Sequence, residues 1–293
     1  MRELREADRG GRPEGAVPEG AVPEARAVPE RSELRSRGEY AAEQRLGVSL
    51  EAVGRFEPRR AGLPEVSAKD AAAYLDARQA ERPWLAAARD RSPEVQRLFA
   101  ALDQGGGHAH IRHEGWVTEE MSRRRVAYLE DPAQLDPAKR AAGIDGLKSP
   151  EGSHRGRNAS SRITDPDAFA AAFARGIEHP AVQAALETRF IAGRVPRAVS
   201  VPISDLLGPD GHRYCTGWRL QPVEGSMNVA RATRAAWINA RGTEGPEPDV
   251  RTARTFEGGA IVFAFAPNGA ADGYEVVTMY PRPRGGEQRG DSR

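Results

Sequence analysis

The chain has 293 residues, a hydrophobic fraction of 39% and a formal net charge of +1 at pH 7. The near-zero charge excludes a protein that gathers nucleic acid through a strong overall field, and the single cysteine, Cys215, excludes an intramolecular disulfide scaffold. The mean hydropathy of -0.62 indicates that part of the chain is disordered.

The N-terminal part of the sequence resembles a linker. Residues 1–66 contain the tetrapeptide AVPE three times in a tract rich in Pro, Glu and Gly. Closely spaced prolines interrupt helices and sheet ladders and favour extended conformations. We therefore predict a disordered linker or delivery segment over residues 1–66.

Residues 67–104 are predicted to form a helical hairpin. Ser67 and Asp70 match a capping box that precedes apolar residues at helical spacing. Arg82-Pro83 is expected to end this helix. The order of an N-cap, an N1 proline and a first-turn acid at Ser92–Glu94 predicts the start of the second helix.

The helices continue beyond residue 105. Thr118, followed by two acids, is expected to begin a helix, whereas residues 131–161 have the composition of a loop. Helices are also predicted to begin at Thr164–Pro166 and at His179-Pro180.

The C-terminal third is dominated by strand signals. Residues 197–207 and 212–223 surround a Pro-Asp-Gly turn and predict a hairpin. Residues 227–240 predict a helix, and residues 259–266 and 273–280 predict a second hairpin. Helices followed by strands indicate an α+β fold in which N-terminal helices pack on a C-terminal antiparallel sheet.

The predicted strand 273–280 has two faces, because side chains alternate along a strand. Val277 and Met279 are expected to face the core, which leaves the hydroxyl groups of Thr278 and Tyr280 on the other face. Strand propensity alone would also account for this pair.

Three of the six histidines, His108, His110 and His113, lie within six residues after a glycine run. A metal-dependent nuclease or hydrolase centred on them is one interpretation, although no cysteine joins the cluster. A second interpretation is a general base, because nearby arginines favour a neutral histidine. The third interpretation is that these histidines are solvated or cap a helix.

Several separate motifs follow one another in a fixed order. Gly106-Gly107-His108 is followed five residues later by His113, and Arg124 lies about three helical turns further on. The segment 160–165 (SSRITD) opens a helix, and the last strand ends in Thr278–Pro281 (TMYP). With this order, the chain resembles the bacterial ribonuclease A-like toxin domain found at the C termini of contact-dependent growth inhibition and other polymorphic toxins.

The resemblance covers residues 105–130, 160–187 and 258–284. It implies a ribonuclease A-like catalytic domain over residues 105–284 and a disordered tail over residues 285–293. Residues 131–158 and 191–257 are expected to be additions to the compact family domain.

The resemblance also implies an activity, namely metal-independent cleavage of RNA, such as tRNA, through a 2′,3′-cyclic phosphate and without a cofactor. His113 would take the proton of the 2′-OH, and Arg124 would stabilise the charge on the phosphorus centre. Thr278 and Tyr280 would bind the phosphate or base, and His108 is a further candidate, as the acid. The family often has valine where this chain has Glu114. The additional acid beside His113 is expected to raise the pKa of that histidine.

Substrate contacts are expected from Arg112, Arg125, Ser161 and Thr164. By the same resemblance, the partners are RNA and a cognate immunity protein, and the chain is a monomer or a heterodimer with that protein. No apolar run approaches the roughly 20 residues of a membrane span. The charged N terminus predicts no Sec signal peptide, so we expect a protein that is cytoplasmic as synthesised, with any delivery by a non-Sec system. An inactive toxin-like binding module is the non-enzymatic alternative.

Overall fold

The computed structural model describes residues 53–105, 107–132, 158–253, 255–268 and 273–285. The predicted linker up to residue 52, most of the predicted loop 131–161 and the tail from residue 286 lie outside the described residues. The described α-helices are α1 (Ala68–Arg78), α2 (Pro83–Arg89), α3 (Pro93–Gln104), α4 (Ala109–His113), α5 (Glu119–Ala127), α6 (Pro166–Glu178), α7 (Pro180–Leu186), α8 (Ile203–Leu207) and α9 (Met227–Asn239), and 3-10 helices cover Pro58–Ala61 and Gly211–Tyr214. The described strands are β1 (Ala159–Ile163), β2 (Val199–Pro202), β3 (Cys215–Leu220), β4 (Val250–Thr252), β5 (Ala260–Pro267) and β6 (Tyr274–Arg282).

The strands form two antiparallel sheets, with the orders β1-β3-β4 and β2-β5-β6. The predicted α+β class is confirmed. The prediction of a single sheet is wrong, because the strands form two three-stranded sheets. The predicted hairpin of β5 and β6 and the predicted helix α9 are confirmed. No helix in the part of the chain that the structure describes is long and apolar enough to cross a membrane.

The hairpin predicted over residues 197–223 is wrong, because β2 pairs with β5 whereas β3 pairs with β1 and β4. Between them the chain forms α8, in which Ile203, Leu206 and Leu207 are buried at helical spacing. The helix ends at Gly208, whose φ of 76° suits glycine. A short helix therefore carries the chain from one sheet to the other.

Residues 53–66, which fall within the predicted linker, pack into the structure. Val53, Phe56 and Leu63 are buried, and the ring of Phe56 lies edge-on to that of Phe173 at 5.8 Å. Pro83 begins α2 rather than ending α1, so residues 67–104 form three helices instead of a hairpin. Proline suits the first position of a helix because its φ is already helical there.

The main core joins the N-terminal helices, α6 and the β2-β5-β6 sheet. Phe99 of α3 and Phe169 of α6 pack with ring centroids 5.7 Å apart, and Phe263 of β5 is fully buried in the same cluster. A smaller cluster, formed by Val126, Leu220 and Ala230, joins α5, the β1-β3-β4 sheet and α9. The two sheets are thus anchored by different helices.

Strands β1 and β6 are the outer strands of their sheets, and they lie next to each other. The hydroxyl of Ser161 in β1 donates to the carbonyl of Pro281 in β6 at 2.5 Å. Helix α4 lies against both strands, and the backbone N–H of His108 donates to the carbonyl of Val277 at 2.8 Å. We call this place, where the two outer strands meet under α4, the edge junction.

A β-bulge in β6 decides which side chains face the edge junction. Ala264 pairs with Thr278, but the next residue of β5 pairs with Val276, so Val277 is an extra residue in β6. The extra residue reverses the alternation, and Val276 and Met279 are both buried in the core. The core position predicted for Met279 is confirmed, and that predicted for Val277 is wrong, since Val277 is only partly buried.

Candidate active site

Helix α4 presents its histidines in two directions. Its core side is fixed by Ala109 and Ile111, which are buried. His108 and His113, just before the helix and at its last residue, share the electrostatic environment of the edge junction. His110 lies among the N-terminal helices.

His113 has a defined hydrogen bond. Its Nδ1 lies 2.7 Å from the backbone carbonyl oxygen of Ser161, and its ring lies beside that of Tyr280, with centroids 5.3 Å apart. A carbonyl oxygen only accepts, so Nδ1 carries the proton of the neutral ring. The other nitrogen, Nε2, is then left as a proton acceptor.

Both histidines of the edge junction are held neutral. Burial and the positive charge of Arg125 hold the pKa of His113 well below its usual value, against the opposing effect of the hydrogen bond to Ser161. Burial, followed by the charge of Arg112, does the same to the pKa of His108. A neutral imidazole near pH 7 is the form that a general base requires.

Two guanidinium groups lie next to these histidines. Arg125 is 7% exposed, and its NH1 donates to the carbonyl of Arg112 at 3.4 Å. The fork of Arg112 binds Asp131, with Nε to Oδ1 at 3.0 Å and NH2 to Oδ2 at 2.5 Å. Sequence reasoning missed Asp131, because an acid followed by proline is equally typical of a turn.

Arg124, the predicted electrostatic catalyst, makes its contacts away from the edge junction in the part of the chain that the structure describes. Its Nε donates to Glu130 at 2.6 Å, and its guanidinium lies over the ring of Tyr128 at 5.1 Å. That ring stacks on Trp237, with centroids 5.0 Å apart. Consecutive helical residues are rotated by about 100°, so Arg125 takes the position next to His113 instead.

The strand hydroxyls predicted for the site lie on the face of β6 opposite Met279. Thr278 is 8% exposed, and its Oγ1 is buried without a hydrogen-bond partner within the described residues. A buried hydroxyl without a partner is costly, so this hydroxyl has the capacity to donate to a bound group. Tyr280, two residues along the strand, contacts the ring of His113.

Two predicted substrate-binding residues use their hydroxyls elsewhere. The hydroxyl of Ser161 donates to the carbonyl of Pro281 across the edge junction, and the carbonyl of Ser161 accepts the hydrogen bond from Nδ1 of His113. Ser161 therefore supports the site. Thr164 donates to the carbonyl of Tyr214 at 3.1 Å, at the far end of β1.

His110 belongs to a buried network of the N-terminal helices. Its Nε2 lies 3.4 Å from Oδ1 of Asp103. The Asp103 carboxylate also accepts hydrogen bonds from the indole N–H of Trp84, on Oδ1, and from the hydroxyl of Tyr74, on Oδ2. Burial opposes ionisation of Asp103, but these hydrogen bonds outweigh it and hold the pKa of the carboxyl below its usual range. The three histidines therefore do not converge, and the described residues contain no group of three or more His, Cys, Asp or Glu side chains arranged for a metal ion.

Glu114 is fully buried directly after the proposed base. Its Oε2 accepts from the backbone N–H of Trp116 at 3.2 Å. Burial raises the pKa of this carboxyl to about 8, so it is neutral at pH 7. The expectation that Glu114 raises the pKa of His113 is wrong, because the acid carries no charge there and the pKa of His113 is lowered.

Glu114→Gln is expected to stabilise the protein at alkaline pH. The folded-state pKa of about 8 lies above the ordinary value of 4.5, so the stability that protonated Glu114 contributes is lost as the pH rises through this window. The free energy of unfolding of the wild type is expected to fall by up to about 1.4 kcal/mol per pH unit relative to the variant. Urea unfolding at about pH 5 and about pH 8 measures the difference.

Glu120→Gln is the control for this experiment, since the side chain of Glu120 is 57% exposed. It is expected to leave the difference between the two pH values unchanged. Parallel stability curves for wild type and Glu114→Gln would show that Glu114 is ionised in the folded protein.

A comparison with protein-family models, curated proteins and solved structures finds no match for this chain. The side chains of the edge junction supply a neutral histidine with an acceptor nitrogen, a buried guanidinium and a hydroxyl that has no hydrogen-bond partner among the described residues. Together such groups can remove a proton from a hydroxyl and stabilise negative charge on a neighbouring group.

Proposed function

We propose that residues 105–284 form a metal-independent endoribonuclease of the ribonuclease A-like toxin type. The observation that carries the proposal is the hydrogen bond from Nδ1 of His113 to Ser161. It supports a base whose Nε2 is unprotonated and whose ring orientation is fixed by β1 and Tyr280. Arg125 and Thr278 supply the cation and the hydroxyl donor that a phosphate needs.

In the proposed reaction, Nε2 of His113 takes the proton of a ribose 2′-OH. The 2′-oxygen forms a bond to the adjacent phosphorus, the bond to the 5′-oxygen breaks, and a 2′,3′-cyclic phosphate remains. Arg125 stabilises the negative charge that develops on the phosphate oxygens. His108 is itself held neutral, so we assign the proton on the departing 5′-oxygen to water.

The proposed substrate is RNA, because the nucleophile is the 2′-OH and DNA lacks it. The formal charge of +1 gives little general attraction to phosphate backbones. A defined substrate such as tRNA is therefore favoured over RNA in general. A cognate immunity protein that covers the edge junction, and delivery into target cells by a non-Sec system, complete the proposal.

The test is cleavage of total RNA by the purified full-length chain in the presence of excess EDTA. We expect fragments ending in a 2′,3′-cyclic phosphate, with DNA of matching sequence left intact. Loss of cleavage on adding EDTA would replace this proposal with the metal-dependent alternative. Absence of cleavage with tRNA, ribosomal RNA and messenger RNA would favour the inactive binding module.

A further inference from the structure

The β2-β5-β6 sheet has one face in the core and one face outside it. Ile261, Phe263 and Met279 are buried in the main core, so the residues that alternate with them lie on the opposite face. By the pairing of the strands, this second face, which we call the outer face, includes Ser200, Ala260, Val262, Thr278, Tyr280 and Arg282. None of these residues is acidic.

The outer face begins at the edge junction. The ring of Tyr280 lies beside the ring of His113, with centroids 5.3 Å apart. Arg282 is two residues further along the same strand, which places its Cα about 7 Å from that of Tyr280. The outer face therefore continues the candidate active site towards the end of β6, where it carries a cation.

Arg282 lies across the outer face. Its NH2 donates to the hydroxyl of Ser200 at 2.9 Å, although β5 separates the two strands. Arg282 pairs with Ala260, and Ser200 pairs with Val262, so the arginine side chain crosses β5 between these two residues. The first and third strands of a sheet are about 10 Å apart, so the side chain is nearly extended. The hydrogen bond to Ser200 thus fixes where the guanidinium lies on the face.

The guanidinium of Arg282 has the chemistry to bind a phosphate. It carries five N–H donors, and the acceptor that it meets at Ser200 is a neutral hydroxyl. Among the described residues, Arg282 forms no ion pair with an aspartate or a glutamate, in contrast to Arg251 of β4, which pairs with Asp249 at 3.1 Å. A partly exposed guanidinium that the protein already orients is suited to an anionic oxygen group.

We propose that Arg282, held by Ser200, binds a phosphate of single-stranded RNA next to the phosphate that is cleaved. The substrate strand then runs from His113 over Tyr280 and across the outer face. This inference rests on the proposed ribonuclease function, because both phosphates belong to the same RNA chain. Arg282 itself takes no part in the proton transfer.

Arg282→Met is expected to weaken RNA binding without slowing the chemical step. The substitution keeps much of the side chain over β5 and removes the charge. KM for a single-stranded RNA substrate is expected to rise about threefold to tenfold, as for the loss of one partly exposed charged contact. The value of kcat is expected to change by less than about twofold, because the contact is the same before and during the reaction.

The salt dependence of binding gives a second readout. Losing one phosphate contact is expected to lower the slope of log affinity against log salt concentration by about 0.7. The slope is measured with the full-length protein and a fluorescein-labelled single-stranded RNA in which fluorine replaces the 2′-OH groups. This probe lacks the nucleophile and is not cleaved, so binding is measured apart from the reaction.

Arg251→Met is the matched control, because it removes an exposed strand arginine from the other sheet. It is expected to leave KM and the salt slope unchanged. Ser200→Ala is expected to raise KM about twofold to threefold. It is expected to have no further effect in the Arg282→Met background, since the hydroxyl acts through the guanidinium.

A KM and a salt slope in folded Arg282→Met equal to those of Arg251→Met would overturn the inference. If Arg282→Met does not fold, Ser200→Glu takes its place, because Ser200 is exposed and a carboxylate there neutralises the guanidinium. Ser200→Glu is expected to raise KM and lower the salt slope, and unchanged values would overturn the inference instead.

The two proposals fail separately. A wild-type protein that binds the probe, with a slope that is lower in Arg282→Met, but cleaves no RNA keeps the phosphate contact and loses the ribonuclease. A protein that cleaves RNA with the same KM and the same slope in both forms keeps the ribonuclease and loses the contact. A wild-type protein that neither binds the probe nor cleaves RNA overturns both and leaves the outer face to a partner of another kind.

Discussion

His113→Ala is expected to lower the rate of RNA cleavage by about 10²- to 10⁴-fold, the usual contribution of a general base. The variant removes the acceptor nitrogen that Ser161 holds in place. Because the base must be neutral and its pKa is well below 6.5, the wild-type rate is expected to stay level from neutral pH to below that value. Cleavage rates over a range of pH, with substrate in excess, measure both effects.

His212→Ala is the control, because His212 lies in the short 3-10 helix Gly211–Tyr214, and the hydrogen bond of its ring in the described structure is to the carbonyl of Pro209. It is expected to cleave RNA at the wild-type rate. Circular dichroism and thermal unfolding check that His113→Ala is folded. A folded His113→Ala protein that cleaves at the wild-type rate would remove His113 from the mechanism.

Arg125→Ala is expected to lower cleavage by about 10²- to 10³-fold, the range found when one electrostatic contact to a developing charge is removed. Arg124→Ala is expected to change it by less than about threefold, since losing an exposed ion pair has small effects. The two residues are neighbours in α5 with the same side chain, so they form a matched pair. Of these two residues, Arg125 is the one whose positive charge lowers the pKa of His113.

Arg125→Lys separates charge from geometry in the same assay. It keeps the positive charge but not the planar fork, so an intermediate rate is expected. The opposite pattern, with Arg124→Ala inactive and Arg125→Ala active, would assign the role to Arg124, as the resemblance implies. That outcome would also mean that α5 is rotated in the substrate complex.

Features that depend on local sequence could be predicted. Ser67, Ser92 and Thr118 each cap a helix through their side chains, as their position before an apolar or acidic turn indicated. The β5-β6 hairpin follows from two dense runs of strand residues around a turn. In each case the decisive residues lie within a few positions of one another.

Features that depend on distant partners could not be predicted. β2 and β3 follow each other closely, but their places in different sheets are decided by pairing with β5 and β1. The bulge at Val277 arises from register against β5, and one extra residue changes which side chains reach the core. The resemblance assigned the electrostatic role to Arg124 and a substrate contact to Arg125. Which arginine lies beside His113 depends on how α5 packs against β1, and sequence spacing does not contain that information.

The edge junction joins parts of the chain that are far apart in sequence. His113 is hydrogen-bonded to Ser161, 48 residues away in sequence, and Ser161 is hydrogen-bonded to Pro281, 120 residues away. Contacts over such separations form late in folding, because closing long loops costs entropy before any gain. A ribosome synthesising this chain would therefore carry a polypeptide without a complete edge junction until β6 had emerged. The geometry therefore delays the proposed chemistry until β6 is available.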